Sequence, residues 1–150
     1  MKLCSACLLG IKCRYDGKDN LEKASPALLD EYKNGNLIPI CPEQLGGLHT
    51  PRSGARISSG DGNDVLDGKS RLLADNGQDM TQQYIKGAYE ALKIAQELKI
   101  EEAILNQESP SCGCGYIQGG LKQRTLIEGD GVTTALLKRN GISVKTERDI

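Results

Sequence analysis

The chain has 150 residues, 38% of them hydrophobic, enough for one core and without a composition break that would demand two domains. Its 19 basic and 20 acidic residues are interspersed and leave a formal net charge of -1, so neither a membrane surface nor stable nucleic-acid binding is expected. Aromatic residues make up 3%, with no tryptophan or phenylalanine, which favours a small pocket over a base-stacking groove.

The N-terminal MKLCSACLLG carries an apolar patch too short for an export signal and runs directly into Lys12 and Arg14. No other stretch is apolar enough to span a bilayer, so a cytoplasmic protein is expected. In that reducing setting the six cysteines are poor candidates for three structural disulfides.

Lys2 to Leu9 reads as a short buried strand running into turns at Gly10 and around Asp16 and Gly17. Ser25 is an N-cap with Pro26 at the first helical position, and the helix over 27–33 stops at Gly35. Leu37 to Cys41 is an apolar strand ended by Pro42, which completes a βαβ unit. From Arg52 to Leu72 the text is rich in glycine, serine and aspartate, with Ile57, Val65 and Leu66 as its anchors. It reads as a long mobile connection with one short strand, either a solvated loop or a lid. Met80 to Leu98 has helical periodicity, with Asp79 as N-cap and Gln82 three residues on. A strand over 102–106, a helix over Val132–Arg139 stopped at Gly141, and a strand over 142–144 follow. The repeated βαβ pattern predicts an α/β protein: a single three-layer, Rossmann-like domain over residues 1–150 with a mostly parallel sheet.

In such sheets ligands bind beyond the carboxyl ends of the strands. Cys7 falls at the exit of the first strand, Cys41 at the exit of the second, and Cys112 in the loop after the third, so all three can be neighbours. Cys4 and Cys7 form one C-x-x-C pair, but a zinc ribbon needs two, and His49 is the only histidine. Soft thiolates select zinc, copper(I) or iron-sulfur clusters, and this donor set leans to the last. Cys4, inside an apolar strand, reads as a small buried hydrophobe, while Cys13 and Cys114 are open between spare ligand and redox thiol. Glu43, two residues after Cys41, is within reach of anything bound there, or else caps a turn. Gly113 and Gly115 let backbone approach a bulky group, and Ser109 and Ser111 add hydroxyls to the same loop.

Four stretches together carry a resemblance: SACLLGIKCRYDG (5–17), IPICPEQLGGL (38–48) with Pro51-Arg52, SPSCG (109–113), and GDGVTTALLKRNGISVKTE (129–147). Over essentially its whole length the chain resembles a bacterial domain-of-unknown-function family that includes the 2-thiouracil desulfidases. The resemblance implies a [4Fe-4S] cluster held by three cysteines, matched here by Cys7, Cys41 and Cys112, with the fourth iron free to take a substrate sulfur. It implies non-redox desulfuration of a thioamide or thionucleobase, such as 2-thiouracil to uracil. Glu43 would serve as acid/base, Ser109 or Ser111 would orient or protonate the ring, and Arg14 and Asp16 would line the pocket or brace its loop. Two departures stand out. Members of the family commonly carry an acid where this chain has Arg56, and Cys114 adds a thiol that could close the open iron. A non-catalytic iron-sulfur or zinc-binding structural or sensor module is therefore the alternative, and a persulfide carrier using Cys13 or Cys114 a third reading.

Overall fold

The computed structural model describes residues 1–119 and 125–150. Its first sheet is built from β1 (Lys2–Ser5), β2 (Leu37–Ile40), β5 (Glu102–Leu105) and β8 (Ser143–Thr146). They lie in the order β2-β1-β5-β8, and every neighbouring pair is parallel. Alternation along the strands assigns the two faces. Leu3, Ala103 and Leu105 join the core beneath α4 (Thr81–Glu97) and α5 (Val132–Arg139), whereas Cys4 and Ile104 join a smaller cluster with Leu28 of α1 (Pro26–Lys33). The first sheet therefore has helices on both faces.

The expected single sheet is divided. A second, mixed sheet runs β4-β3-β6-β7, from β3 (Ala55–Ile57), β4 (Leu72–Ala74), β6 (Tyr116–Gly119) and β7 (Thr125–Glu128). Its outer pairs are antiparallel and its central pair, β3 with β6, is parallel. Ile57, Leu72, Ala74 and Ile117 bring it onto the same core as α4. The 52–72 segment accordingly holds β3 and a helix, α3 (Gly62–Leu66), and ends on the first residue of β4, where one short strand is expected from its composition. Its predicted anchors Ile57 and Val65 are fully buried, so a few apolar residues in a polar text suffice to order it. The antiparallel pair β6 and β7 is not foreseen from the sequence because glycine and polar residues mask its alternation.

Local rules place most other boundaries. Ser25 Oγ accepts from Leu28 N at 3.2 Å and starts α1. The first strand ends at Ser5 instead of Leu9, because Ala6–Leu9 winds into a 3-10 turn closed by Gly10 at φ 89°. Asp79 sits one residue before the cap Met80, and its Oδ1 accepts from Thr81 N at 2.9 Å and from Thr81 Oγ1 at 2.6 Å.

One crossing matters for the site. Gly87 interrupts the middle of α4 at a helix-propensity cost of about 1 kcal/mol. A Cβ there would stand 2.7 Å from the carbonyl carbon of Pro42 and 3.2 Å from Gly46 N, so only glycine lets α2 (Pro42–Leu45) lie directly on α4. That close approach sets the position of Cys41, the N-cap of α2, and of Glu43 in its first turn. Among the described residues no helix is long and apolar enough to cross a membrane.

Candidate active site

The chain leaves β1 toward β2 on one side and later toward β5 on the other, so β1 and β5 flank the topological switch point of the parallel sheet. A cavity of about 410 Å³ opens there, a volume typical of small-molecule pockets. Cys7, Cys13, Cys41 and Cys112 all line it. All six cysteines are free.

The thiols differ by environment. Cys13 lies within hydrogen-bonding reach of both Cys7 and Cys41, and its single proton can serve one of them at a time. Its S–H holds the Cys7 and Cys41 thiols below the ordinary range, against burial, while Cys13 itself is pushed up. Asn20 Nδ2 adds a second donor to Cys7 Sγ at 3.4 Å. In its thiol form Cys41 Sγ lies 3.8 Å from Cys13 O and 4.0 Å from Glu43 Oε1. Cys112 is raised well above a free thiol, by burial first and then by Glu43. Cys7 and Cys41 are thus biased toward the thiolate that a metal centre requires, while Cys13 and Cys112 hold their protons more tightly. Cys4 behaves as expected of a hydrophobe: it is wholly buried in the smaller core cluster and pushed up to about 12 by burial.

Glu43 faces the cavity with its side chain 14% exposed, paired with Arg52, whose Nη2 is 3.7 Å from Glu43 Oε2. Burial raises the Glu43 carboxyl and Arg52 partly offsets it. Tyr84 reaches the same wall from α4, its phenol kept protonated by burial and by the nearby carboxylate. Arg14 lines the cavity, while Asp16 does not; it holds Arg14 from behind, Oδ2 to Nη2 at 2.8 Å. Arg14 Nη1 in turn donates to Asn20 Oδ1 at 3.0 Å, so a chain of contacts runs Asp16–Arg14–Asn20–Cys7.

In the loop after β5, Ser109 lines the cavity and Ser111 does not. Ser109 Oγ accepts from the amides of Ser111 and Cys112 at 3.1 and 3.2 Å. Ser111 is fully buried, with its Oγ 2.9 Å from Thr133 Oγ1, pinning the loop to α5. Gly113 is needed because the carbonyls of Ser109 and Tyr116 would crowd a Cβ at 2.7 and 2.6 Å. Cys114 points elsewhere, 4.0 Å from Val144 O, with its backbone N and O both clasped by the Gln107 side-chain amide at 2.8 Å. Arg56 reaches the cavity and pairs with Asp75 at 2.9 Å. His49 is exposed, with Nδ1 2.6 Å from Pro51 O.

The structure thus gathers Cys7, Cys41, Cys112, Glu43, Ser109 and Arg14 on one cavity and puts Asp16 and Ser111 behind it. Sequence reasoning passed over Asn20, Arg52 and Tyr84 as site residues. Tyr84 reads only as part of an apolar helical stripe, and Arg52 is visible only through the Pro51-Arg52 motif. Among the described residues no three His, Cys, Asp or Glu side chains converge as ligands of a single metal ion. Donors to one ion must come within about 2.0–2.3 Å of it. Cys7, Cys41 and Cys112 bring soft donors from three separate elements to one cavity, a donor set that fits a polynuclear iron-sulfur group.

An α/β protein with a thiol-rimmed, small-molecule-sized cavity at its switch point is the class this geometry defines. Residues 3–149 match the family model described as 2-thiouracil desulfurase, and the chain belongs to that enzyme family. It is similar to the Uncharacterized protein YbbK of Bacillus subtilis (strain 168), at 42% identity over 150 residues, covering 100% of this chain and 97% of that protein. It is also similar to a solved structure, the [4Fe-4S]-dependent thiouracil desulfidase TudS, with a TM-score of 0.88 and 36% identity over 99% of this chain and 91% of that one.

Proposed function

We propose that residues 1–150 act as one iron-sulfur desulfidase domain, its parallel sheet serving as a Rossmann-like platform. It converts a thionucleobase-type small molecule to its oxygen counterpart, as 2-thiouracil to uracil. Water replaces sulfur at the thiocarbonyl carbon, hydrogen sulfide leaves, and no net electron transfer is needed. The observation that carries this reading is the convergence of Cys7, Cys41 and Cys112 with the buried Glu43 on one cavity. Those three cysteines are the proposed holders of a [4Fe-4S] cluster. Bound there, the cluster would supply an open iron as Lewis acid for the thiocarbonyl sulfur.

The chain's own groups handle the protons. Glu43, its carboxyl raised by burial, accepts a proton from the attacking water and returns it to the leaving sulfur, the two directions of general acid/base work. Arg52 keeps that carboxylate oriented. Ser109 Oγ already accepts from two loop amides, which leaves its hydrogen to donate to a ring atom of the substrate. Arg14 and Asp16 are positioning residues: they hold Asn20 against Cys7. Ser111 fixes the height of the Cys112 loop on α5.

Anaerobic reconstitution with iron and sulfide tests the reading. The wild type should turn brown and release sulfide and uracil from 2-thiouracil in equal amounts, and Cys112→Ala should lose both properties. A colourless protein with stoichiometric zinc, or a brown one inert to thiouracil, would favour a structural or sensor module.

A further inference from the structure

A glutamine on the second sheet has a site-facing amide whose oxygen has no hydrogen-bond partner among the described residues. Gln118 lies on β6 and lines the cavity that the thiols and Glu43 share. Its backbone is fixed, since Gln118 N donates to Glu108 O at 2.9 Å, one residue before Ser109. Alternation along β6 sends the fully buried Ile117 into the core and Gln118 to the other face. Its Oε1 is buried and makes no hydrogen bond among the described residues. Leaving such an acceptor unmade costs on the order of 1–3 kcal/mol, and a native site keeps one where a ligand supplies the missing donor.

We infer that Gln118 is a specificity residue that reads the –NH–C=O edge of a pyrimidine ring. Its carboxamide offers an acceptor and a donor side by side, Oε1 and Nε2, which complements an imide N–H next to a carbonyl. In 2-thiouracil and in uracil that edge is N3–H and the C4 carbonyl. It borders the C2 position where sulfur is exchanged, so a ring held by Gln118 can still present C2 to the thiols. The inference rests on the desulfidase reading and adds the group that selects a pyrimidine over a simple thioamide. A thioamide without the adjacent carbonyl leaves half of the Gln118 amide unpaired.

Uracil is the probe, because it keeps the recognised edge and is not consumed. Calorimetric titration of the reconstituted wild type should show uracil binding, with 3-methyluracil, which blocks N3–H, about tenfold weaker and 1-methyluracil less affected; one hydrogen bond corresponds to roughly that ratio. Gln118→Met, close in shape, should bind uracil about tenfold more weakly and lose the discrimination between uracil and 3-methyluracil. Gln118→Glu, an acceptor without the amide donor, keeps the side-chain length and guards against a packing defect in the methionine variant. A methionine variant that binds uracil as tightly as wild type, or still rejects 3-methyluracil, would overturn the inference and leave the desulfidase reading standing. A wild type that binds no uracil and releases no sulfide from 2-thiouracil would instead overturn both.

Discussion

Gly87→Ala perturbs the site without touching it. The new methyl group on α4 would stand 2.7 Å from the Pro42 carbonyl carbon and 3.2 Å from Gly46 N, where ordinary contact begins at 3.4 Å. Both neighbours are backbone, so no side chain can swing aside. Helix α2 must retreat by about 1 Å, taking Cys41 and Glu43 with it. Overpacking of this kind costs ~1–3 kcal/mol, offset by up to ~1 kcal/mol for removing a mid-helix glycine. A net loss of about 1–2 kcal/mol should appear in urea unfolding. Misplacement by about 1 Å can cost on the order of 100-fold in rate, so turnover of 2-thiouracil should fall much further than stability does. Lys93→Ala, exposed on the same helix, is the control and should stay within about 0.5 kcal/mol of wild type. If Gly87→Ala matches wild type in both unfolding and sulfide release, α2 is not held by this crossing and the reasoning fails.

Glu43→Gln removes the proton carrier but keeps shape, so kcat should drop by about 10²–10⁴-fold while the visible absorption of the reconstituted protein persists; loss of colour would show a structural role instead. Cys13→Ser and Cys114→Ser should both keep the iron-sulfur spectrum, Cys13 because it is the neighbour that bonds to Cys7 and Cys41, Cys114 because it faces Val144. Iron analysis showing loss in either would assign a fourth thiolate. Asp79→Asn tests the start of α4. The two bonds from Thr81 lower the Asp79 carboxyl in the folded state, so its stabilisation is present above the ordinary value of ~3.9 and is lost as pH falls through the lower folded value. The variant should be less stable by under about 1 kcal/mol at neutral pH, given the exposure of the side chain, and should converge with wild type in acid unfolding curves.

Legibility followed the length of each signal. The strands over 37–40 and 102–105 and the helices α1, α4 and α5 carry continuous apolar runs or helical periodicity with cap residues, and all five stand within a residue or two of where the sequence places them. The second sheet is opaque because glycine and polar residues surround its short strands, and no local rule reports that β3 will find β6. The same contrast holds at the site. Strand-exit logic locates Cys7, Cys41 and Cys112 without knowing the sheet order. It does not say which serine of Ser109 and Ser111 faces the cavity, since the difference lies in Thr133, a contact from a helix 22 residues away. It is also blind to Cys13, whose loop folds back between two strand exits, and to Gln118, which arrives from the unforeseen sheet.

The central claim is that three thiolates hold a cluster and leave one iron for the substrate. Mössbauer spectroscopy of the protein reconstituted anaerobically with ⁵⁷Fe, with and without 2-thiouracil, addresses it directly. One iron in the cluster should differ from the rest and change its signal when 2-thiouracil is added. Equivalent irons that do not respond to 2-thiouracil, or a distinct iron signal that disappears in Cys13→Ser or Cys114→Ser, would contradict the account.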